Sequence, residues 1–126
     1  MNSSPRHKGF KDLECWKKAR ELRKKISDLV KRFPVEEKYM LVSQMKRCSR
    51  SITNNICEGY GRFSYTDTRH FFIQARGSVS ELIDHITIAF DENYISQNEL
   101  NEMEGNCESV LILINGYIVY LDRQRP

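Results

Sequence analysis

Glycine and proline are scarce in this 126-residue chain, at six and three. An all-β fold with many tight turns calls for more of both. No apolar run approaches the roughly 20 residues that cross a bilayer, which argues against a membrane partner. Met1 to Phe10 is polar and lacks the apolar stretch of a secretory signal. The four cysteines, Cys15, Cys48, Cys57 and Cys107, contain no Cys-x-x-Cys pair. A disulfide framework is not expected without export, so they read as buried, reduced, mildly apolar side chains. Low complexity is missing as well: 40% hydrophobic and 29% charged residues exclude a disordered chain. What remains is one cytoplasmic helical domain, large enough to bury about two-thirds of its unfolded surface.

Apolar spacing supplies the architecture. The first series is Cys15, Ala19, Leu22, Ile26, Leu29, Phe33, and the second is Leu41, Met45, Cys48, Ile52, Ile56. The third runs Phe72, Ala75, Val79, Leu82, Ile86, Ala89; the fourth runs Leu100, Met103, Cys107, Val110, Ile114, Tyr117, Leu121. All four step by three and four, the helical spacing, and none alternates by two as a strand would. A repeat near 3.5 keeps each seam facing its neighbours in a left-handed bundle. Pro34 stops the first series. Gly59 and Gly61 are expected to end the second, with Gly59 as a helix cap. Ser64 with Asp67 reads as a weak capping box and Ser96 with Glu99 as a full one. The expected helices are 11–33, 36–58, 65–91 and 97–122. Short connections make them antiparallel, up-down-up-down. Residues 1–10 read as a mobile basic arm and 123–126 as a tail. Leu13, Trp16, Val30, Phe71, Ile83, Phe90, Ile112 and Ile118 fall beside or off the seams. They indicate either a wide core stripe or a second buried surface, and so point to self-association.

Charge is segregated along the chain. Residues 1–62 hold 16 basic and 7 acidic groups, a net +9; residues 63–126 hold 4 and 10, a net −6. Lys11, Lys18, Lys25 and Arg32 repeat every seven residues, as do Lys17, Lys24 and Lys31. Glu14, Glu21 and Asp28 run between these lines, each three and four residues before a base. Such pairs support a helix by a few tenths of a kcal/mol each. Three acids cannot neutralise these seven bases, and Arg20, Arg23, Lys46, Arg47 and Arg50 add to the excess. The surplus suits phosphates through counterion release, or the acidic helices of another subunit. Spacing does not choose between them.

Catalytic and metal constellations are missing. A di-iron bundle needs paired Glu-x-x-His motifs; only Asp67-x-x-His70 comes near. Glu81 and His85 share a helix face at i and i+4 without a second pair, so no metal site is expected. Gly59-Tyr60-Gly61-Arg62 lacks the P-loop pattern and its lysine. No nucleophile elbow, Cys/His dyad signature or zinc motif occurs, so neither an enzyme nor a cofactor is expected.

Three blocks carry a resemblance. Phe10-Lys11-Asp12-Leu13-Glu14-Cys15-Trp16-Lys17-Lys18-Ala19 opens the first helix. Arg50-Ser51-Ile52-Thr53-Asn54-Asn55-Ile56-Cys57-Glu58-Gly59-Tyr60-Gly61-Arg62 ends the second. Ala75-Arg76-Gly77-Ser78-Val79-Ser80-Glu81-Leu82 sits in the third. Over residues 10 to 122 the chain resembles the four-helix-bundle family associated with intervening sequences of bacterial 23S ribosomal RNA genes. Cys15 and Cys57 stand where that family's pattern has Val and Ala. More distantly it is similar to the accessory protein of diversity-generating retroelements, a basic pentameric barrel that binds nucleic acid and a reverse transcriptase. The resemblance implies a homopentameric ring without catalytic activity. It also implies that Asn55, Glu58, Gly59, Gly61 and Arg62 form the family's signature turn, and that Gly77 is a close helix contact.

The combined expectation is a non-enzymatic, oligomeric protein that binds RNA or other nucleic acid. Lys11, Lys17, Lys18, Lys24, Lys25, Arg32, Lys46, Arg47 and Arg50 would meet the phosphates. The alternative is a ring-shaped scaffold that docks a protein partner.

Overall fold

A computed structural model describes residues 9–125. Residues 1–8 of the expected arm and residue 126 of the expected tail lie outside the described residues. The chain forms α1 (Glu14–Leu29), α2 (Leu41–Tyr60), α3 (Tyr65–Asp91) and α4 (Gln97–Gln124). Short 3-10 turns occupy Phe10–Asp12, Val30–Arg32 and Val35–Glu37. No strand occurs among the described residues.

The three-four seams form the core. Ala19, Ile26, Met45, Ile52, Ile56, Phe72, Val79, Leu82, Ile86, Cys107 and Ile114 are fully or almost fully buried. Trp16, Val30 and Ile118, all off the seams, are buried too, whereas Leu29 and Tyr117 on the seams are only half-buried. The core stripe is thus wider than a strict heptad seam, as in most soluble bundles.

Side-chain pairs along the helices show their directions. Arg32, near the end of the first helical segment, meets Glu99 at the start of α4, and Lys25, further back, meets Glu102 and Asn106. Tyr65 and Arg69 at the start of α3 meet Asp122 near the end of α4, and Arg76 meets Asn115. Cys48 and Ser51 touch Ser78, and Gly59 lies against Phe71 and Phe72. As one helix advances, its partner recedes, so α1/α4, α3/α4 and α2/α3 are antiparallel. The order is up-down-up-down, an all-α four-helix bundle.

Helix limits depart from the spacing at several places. The first helix, expected over 11–33, is α-helical only over Glu14–Leu29, with 3-10 turns on either side, and Phe33 before Pro34 is extended at ψ 155°. Helix α2 runs past 58 to Tyr60. The second helix begins at Leu41, not 36. Pro34 is extended at ψ 146°, and the chain turns through Val35–Glu37 before α2 starts. The Glu37 carboxylate then accepts the Leu41 N–H at 3.3 Å, satisfying a donor that α2 itself leaves open. Gly59 does not cap α2; it lies within the helix, and Gly61 is the cap residue. At the other end α4 continues to Gln124, so Arg123 is helical. Phe10, expected in the arm, packs edge-on against Trp16 at 5.4 Å between ring centroids.

The expected caps are present. Ser64 Oγ accepts the Asp67 N–H at 3.0 Å. Ser96 and Glu99 form the full reciprocal box, at 3.2 and 2.8 Å. Helix α3 ends at Asp91, and just beyond its cap residue Glu92 the φ of +66° at Asn93 turns the chain into the left-handed region. Asparagine tolerates that conformation, and the Tyr94 N–H closes the end on the Ala89 carbonyl.

Candidate nucleic-acid interface

A groove of about 550 Å³ runs along the outer face of α2 and the turn before it. Lys38, Lys46, Arg47 and Arg50 line it, with Tyr39 and Asn54 between them. None of these four cations takes part in an ion pair among the described residues. No carboxylate lines the groove. Tyr39 is 83% exposed, and Lys38 lies over its ring at 5.4 Å. Unpaired cations beside an exposed aromatic ring provide phosphate contacts and a stacking surface together.

The charges of α1 are more committed. Lys17 pairs with Glu14 at 3.4 Å and Lys31 with Asp28 at 3.0 Å, as the spacing expects. Lys18 instead pairs forward with Glu21 at 3.5 Å. Lys25 lies 3.8 Å from Glu102, and Arg32 is bonded to Glu99. Arg32 and the Ser96 N–H hold the Glu99 carboxyl down at about 2. Here cations of α1 and of the turn after it meet α4 acids inside one chain, an alternative to meeting them between subunits. A second groove, of about 620 Å³, has Lys11, Lys17, Arg20 and Lys24 around Trp16, but also Glu21. Arg20 lies over the Trp16 ring at 5.9 Å, and Arg23 donates to Thr53 Oγ1 at 2.9 Å.

The nine expected phosphate ligands therefore separate. Lys46, Arg47 and Arg50 share the α2 groove; Lys11, Lys17 and Lys24 share the α1 groove. Lys18 is held by Glu21, and Lys25 and Arg32 by α4. Lys38 and Tyr39 were absent from the expected set, because an uninterrupted helix from 36 hides the turn that presents them. Pro34 was the available signal.

The end of α2 is a packed corner. Glu58 and Arg62 pair at 3.2 Å, and the Arg62 guanidinium covers the Phe71 ring at 4.8 Å. Asn55 Nδ2 donates to the Ser51 carbonyl and hydroxyl at 2.9 and 3.0 Å. The Ser51 hydroxyl in turn meets Ser78 Oγ at 2.9 Å, joining α2 to α3. A Cβ on Gly59 would stand 2.9 Å from Phe71 Cβ, so only glycine allows this approach.

The sequence matches the family described as 23S rRNA-intervening sequence protein over residues 11–116. The chain belongs to that family. Among curated proteins none matches it. A similar fold is seen in a crystal structure of a protein of unknown function from the S23 ribosomal protein family of Bacteroides thetaiotaomicron. That protein is 21% identical, with a TM-score of 0.76 over 82% of this chain and 94% of the other. At that identity the likeness concerns the fold.

Of the five residues of the implied signature turn, Gly59 and Arg62 touch Phe71 of α3, Glu58 pairs with Arg62, and Asn55 and Gly61 bond within α2. Gly77 does not behave as expected: a Cβ there would meet nothing within 4 Å. The close helix contact belongs to Gly59 instead. One group of metal-ligating side chains also stands together among the described residues, Cys48, Glu81 and His85. The expectation of no metal site weighed Glu81 and His85 alone, and Cys48 reaches them from another helix. No helix among the described residues is long and apolar enough to cross a membrane.

Proposed function

We propose that this protein binds RNA without catalysis, holding the phosphate backbone in the α2 groove. The observation that carries the reading is the set of four unpaired cations, Lys38, Lys46, Arg47 and Arg50, around exposed Tyr39. Phosphate contacts of this kind give affinity and register with little base selectivity. Family membership supports an RNA setting for the groove.

Self-association is the second part of the proposal. Ile112, Val119 and Tyr120 leave an apolar strip on the outside of α4, with Ile112 68% exposed. A ring of like chains would cover it through a heterologous contact that closes by rotation. Five subunits follow from the family resemblance alone. Light scattering that reports only monomer at micromolar concentration would remove this part.

The test of RNA binding is affinity for a single-stranded and a structured RNA across a salt series. Four released counterions give a log–log slope of about −2.8 on single strands. Lys46→Glu with Arg50→Glu should abolish most binding at moderate salt, and Lys18→Glu should change it little. No binding at low salt refutes the proposal. A protein partner retained after nuclease treatment, with no RNA affinity, would favour the scaffold reading instead.

A further inference from the structure

The interface between α2 and α3 holds a group of side chains that RNA binding does not use. Glu81 and His85 stand one turn apart on α3, with His85 Nε2 3.3 Å from Glu81 Oε2. Cys48 reaches them from α2, and one donor atom from each residue fits a cluster whose members lie within 4.8 Å of one another. A groove of about 300 Å³ opens onto all three. His85 is only 8% exposed, and its Nδ1 is buried with no hydrogen-bond partner. The nitrogen that faces Glu81 is Nε2, so Nε2 is the one open to a shared ion and Nδ1 then carries the ring proton. Burial and the nearby Glu81 push the Cys48 thiol up to about 12. A thiol so disfavoured as thiolate is neither a nucleophile nor a redox sensor on its own.

We propose that Cys48, Glu81 and His85 form a binding site for a thiophilic divalent cation of the zinc class. Thiolate, imidazole and carboxylate are the donors such an ion takes, whereas magnesium and calcium want oxygen alone. Tetrahedral zinc at its usual bond lengths sets its donors about 3.3–3.6 Å apart. The Glu81–His85 pair already has that spacing at 3.3 Å. Bringing the sulfur in asks for side-chain movement on the order of 1 Å. Three protein donors leave the fourth position to water from the groove. Without metal, the Cys48 thiol donates to the Ser78 carbonyl at 2.9 Å. On binding, the metal–sulfur bond replaces that hydrogen bond and the thiol proton leaves to solvent. Arg47 also lines the groove and opposes a dication. Thiolate and carboxylate together outweigh it by two charges to one. The ion would tie α2 to α3, so the fold itself gains from loading.

The full chain, reduced, is titrated with cobalt(II) and cadmium(II) while thiolate-to-metal charge transfer is followed, and with zinc(II) by calorimetry. One equivalent with a thiolate band is expected, together with a rise in Tm that a chelator reverses. Glu81→Gln alters an exposed carboxylate and keeps the fold. It should weaken zinc at least about tenfold. Cys48→Ser should remove the thiolate band, and Cys57→Ser should leave it unchanged. The absence of a band at stoichiometric metal overturns the site. So does wild-type zinc affinity in Glu81→Gln, or a band that disappears with Cys57→Ser.

Discussion

Alanine at Gly59 and alanine at Gly77 should shift stability in opposite directions. Both glycines lie inside helices, where Gly→Ala gains about 0.5–1 kcal/mol from backbone entropy. At Gly77 a Cβ meets nothing within 4 Å, so that gain stands alone. At Gly59 the Cβ falls 2.9 Å from Phe71 Cβ and 3.0 Å from two ring atoms of Phe72. Neither neighbour can step aside. Phe71 Cβ is bonded to the α3 backbone, and the Phe72 ring is fully buried and stacked on Tyr117 at 4.5 Å between centroids. The two helices must part by a few tenths of an ångström, and overpacking of this kind costs about 1–3 kcal/mol. Set against the entropy gain, Gly59→Ala loses about 1–2 kcal/mol net. Unfolding entropy for a domain of this size converts 1 kcal/mol into about 4 °C. Gly59→Ala should therefore lower Tm by about 4–8 °C and Gly77→Ala raise it by about 2–4 °C. Thermal unfolding followed by circular dichroism reads both. A Gly59→Ala protein that melts at or above wild type refutes the close-approach argument. A Gly77→Ala protein that melts lower refutes the open exposure of that face.

Other substitutions test separate parts of the frame. Phe72→Ala empties the centre of the core and should cost about 3–5 kcal/mol, read by urea denaturation. Ser96→Ala removes the α4 cap and should cost about 1 kcal/mol in the same assay. Arg32→Ala should cost about 0.5–1 kcal/mol at neutral pH, because the pair is half exposed and screened. The pH dependence follows from Glu99, whose folded value of about 2 lies below the unfolded one near 4.3. A depressed carboxylate stabilises above its unfolded value and loses that contribution as pH falls. The Tm difference between wild type and Arg32→Ala should thus hold at pH 7 and narrow between about pH 4.3 and 2, leaving only what the Arg32 bond to the Tyr94 carbonyl supplies. A difference undiminished at pH 2 refutes the pairing.

Periodicity made the helices legible because burial of one stripe is a local property of three-four spacing. Helix ends were legible where the cap sits in the local pattern, as at Ser64 and Ser96. They were not legible where a side chain outside the helix does the capping, as Glu37 does for Leu41. Gly59 illustrates a different limit. A glycine that stops a helix and a glycine that admits a neighbour have the same one-letter signature. Only the position of Phe71, on the next helix, separates them.

Charge was legible in sign but not in availability. The seven-residue period correctly anticipates Glu14–Lys17 and Asp28–Lys31, since both partners lie three residues apart along one helical stretch, α1 and the 3-10 turn that continues it. Arg32 and Lys25 escape that pattern because their carboxylates, Glu99 and Glu102, come from α4. Cys48 joins Glu81 and His85 for the same reason: the chemistry forms across helices, where spacing is silent. The consequence bears directly on polyanion binding. A lysine already paired on α1 must leave its carboxylate before it can neutralise a phosphate, and the released acid then repels the same backbone. Lys38, Lys46, Arg47 and Arg50 carry no such cost. Five of the seven ladder bases, Lys17, Lys18, Lys25, Lys31 and Arg32, are thus engaged within the fold, and on the proposed reading the unpaired set on α2 and the turn before it offers a phosphate backbone the smaller penalty.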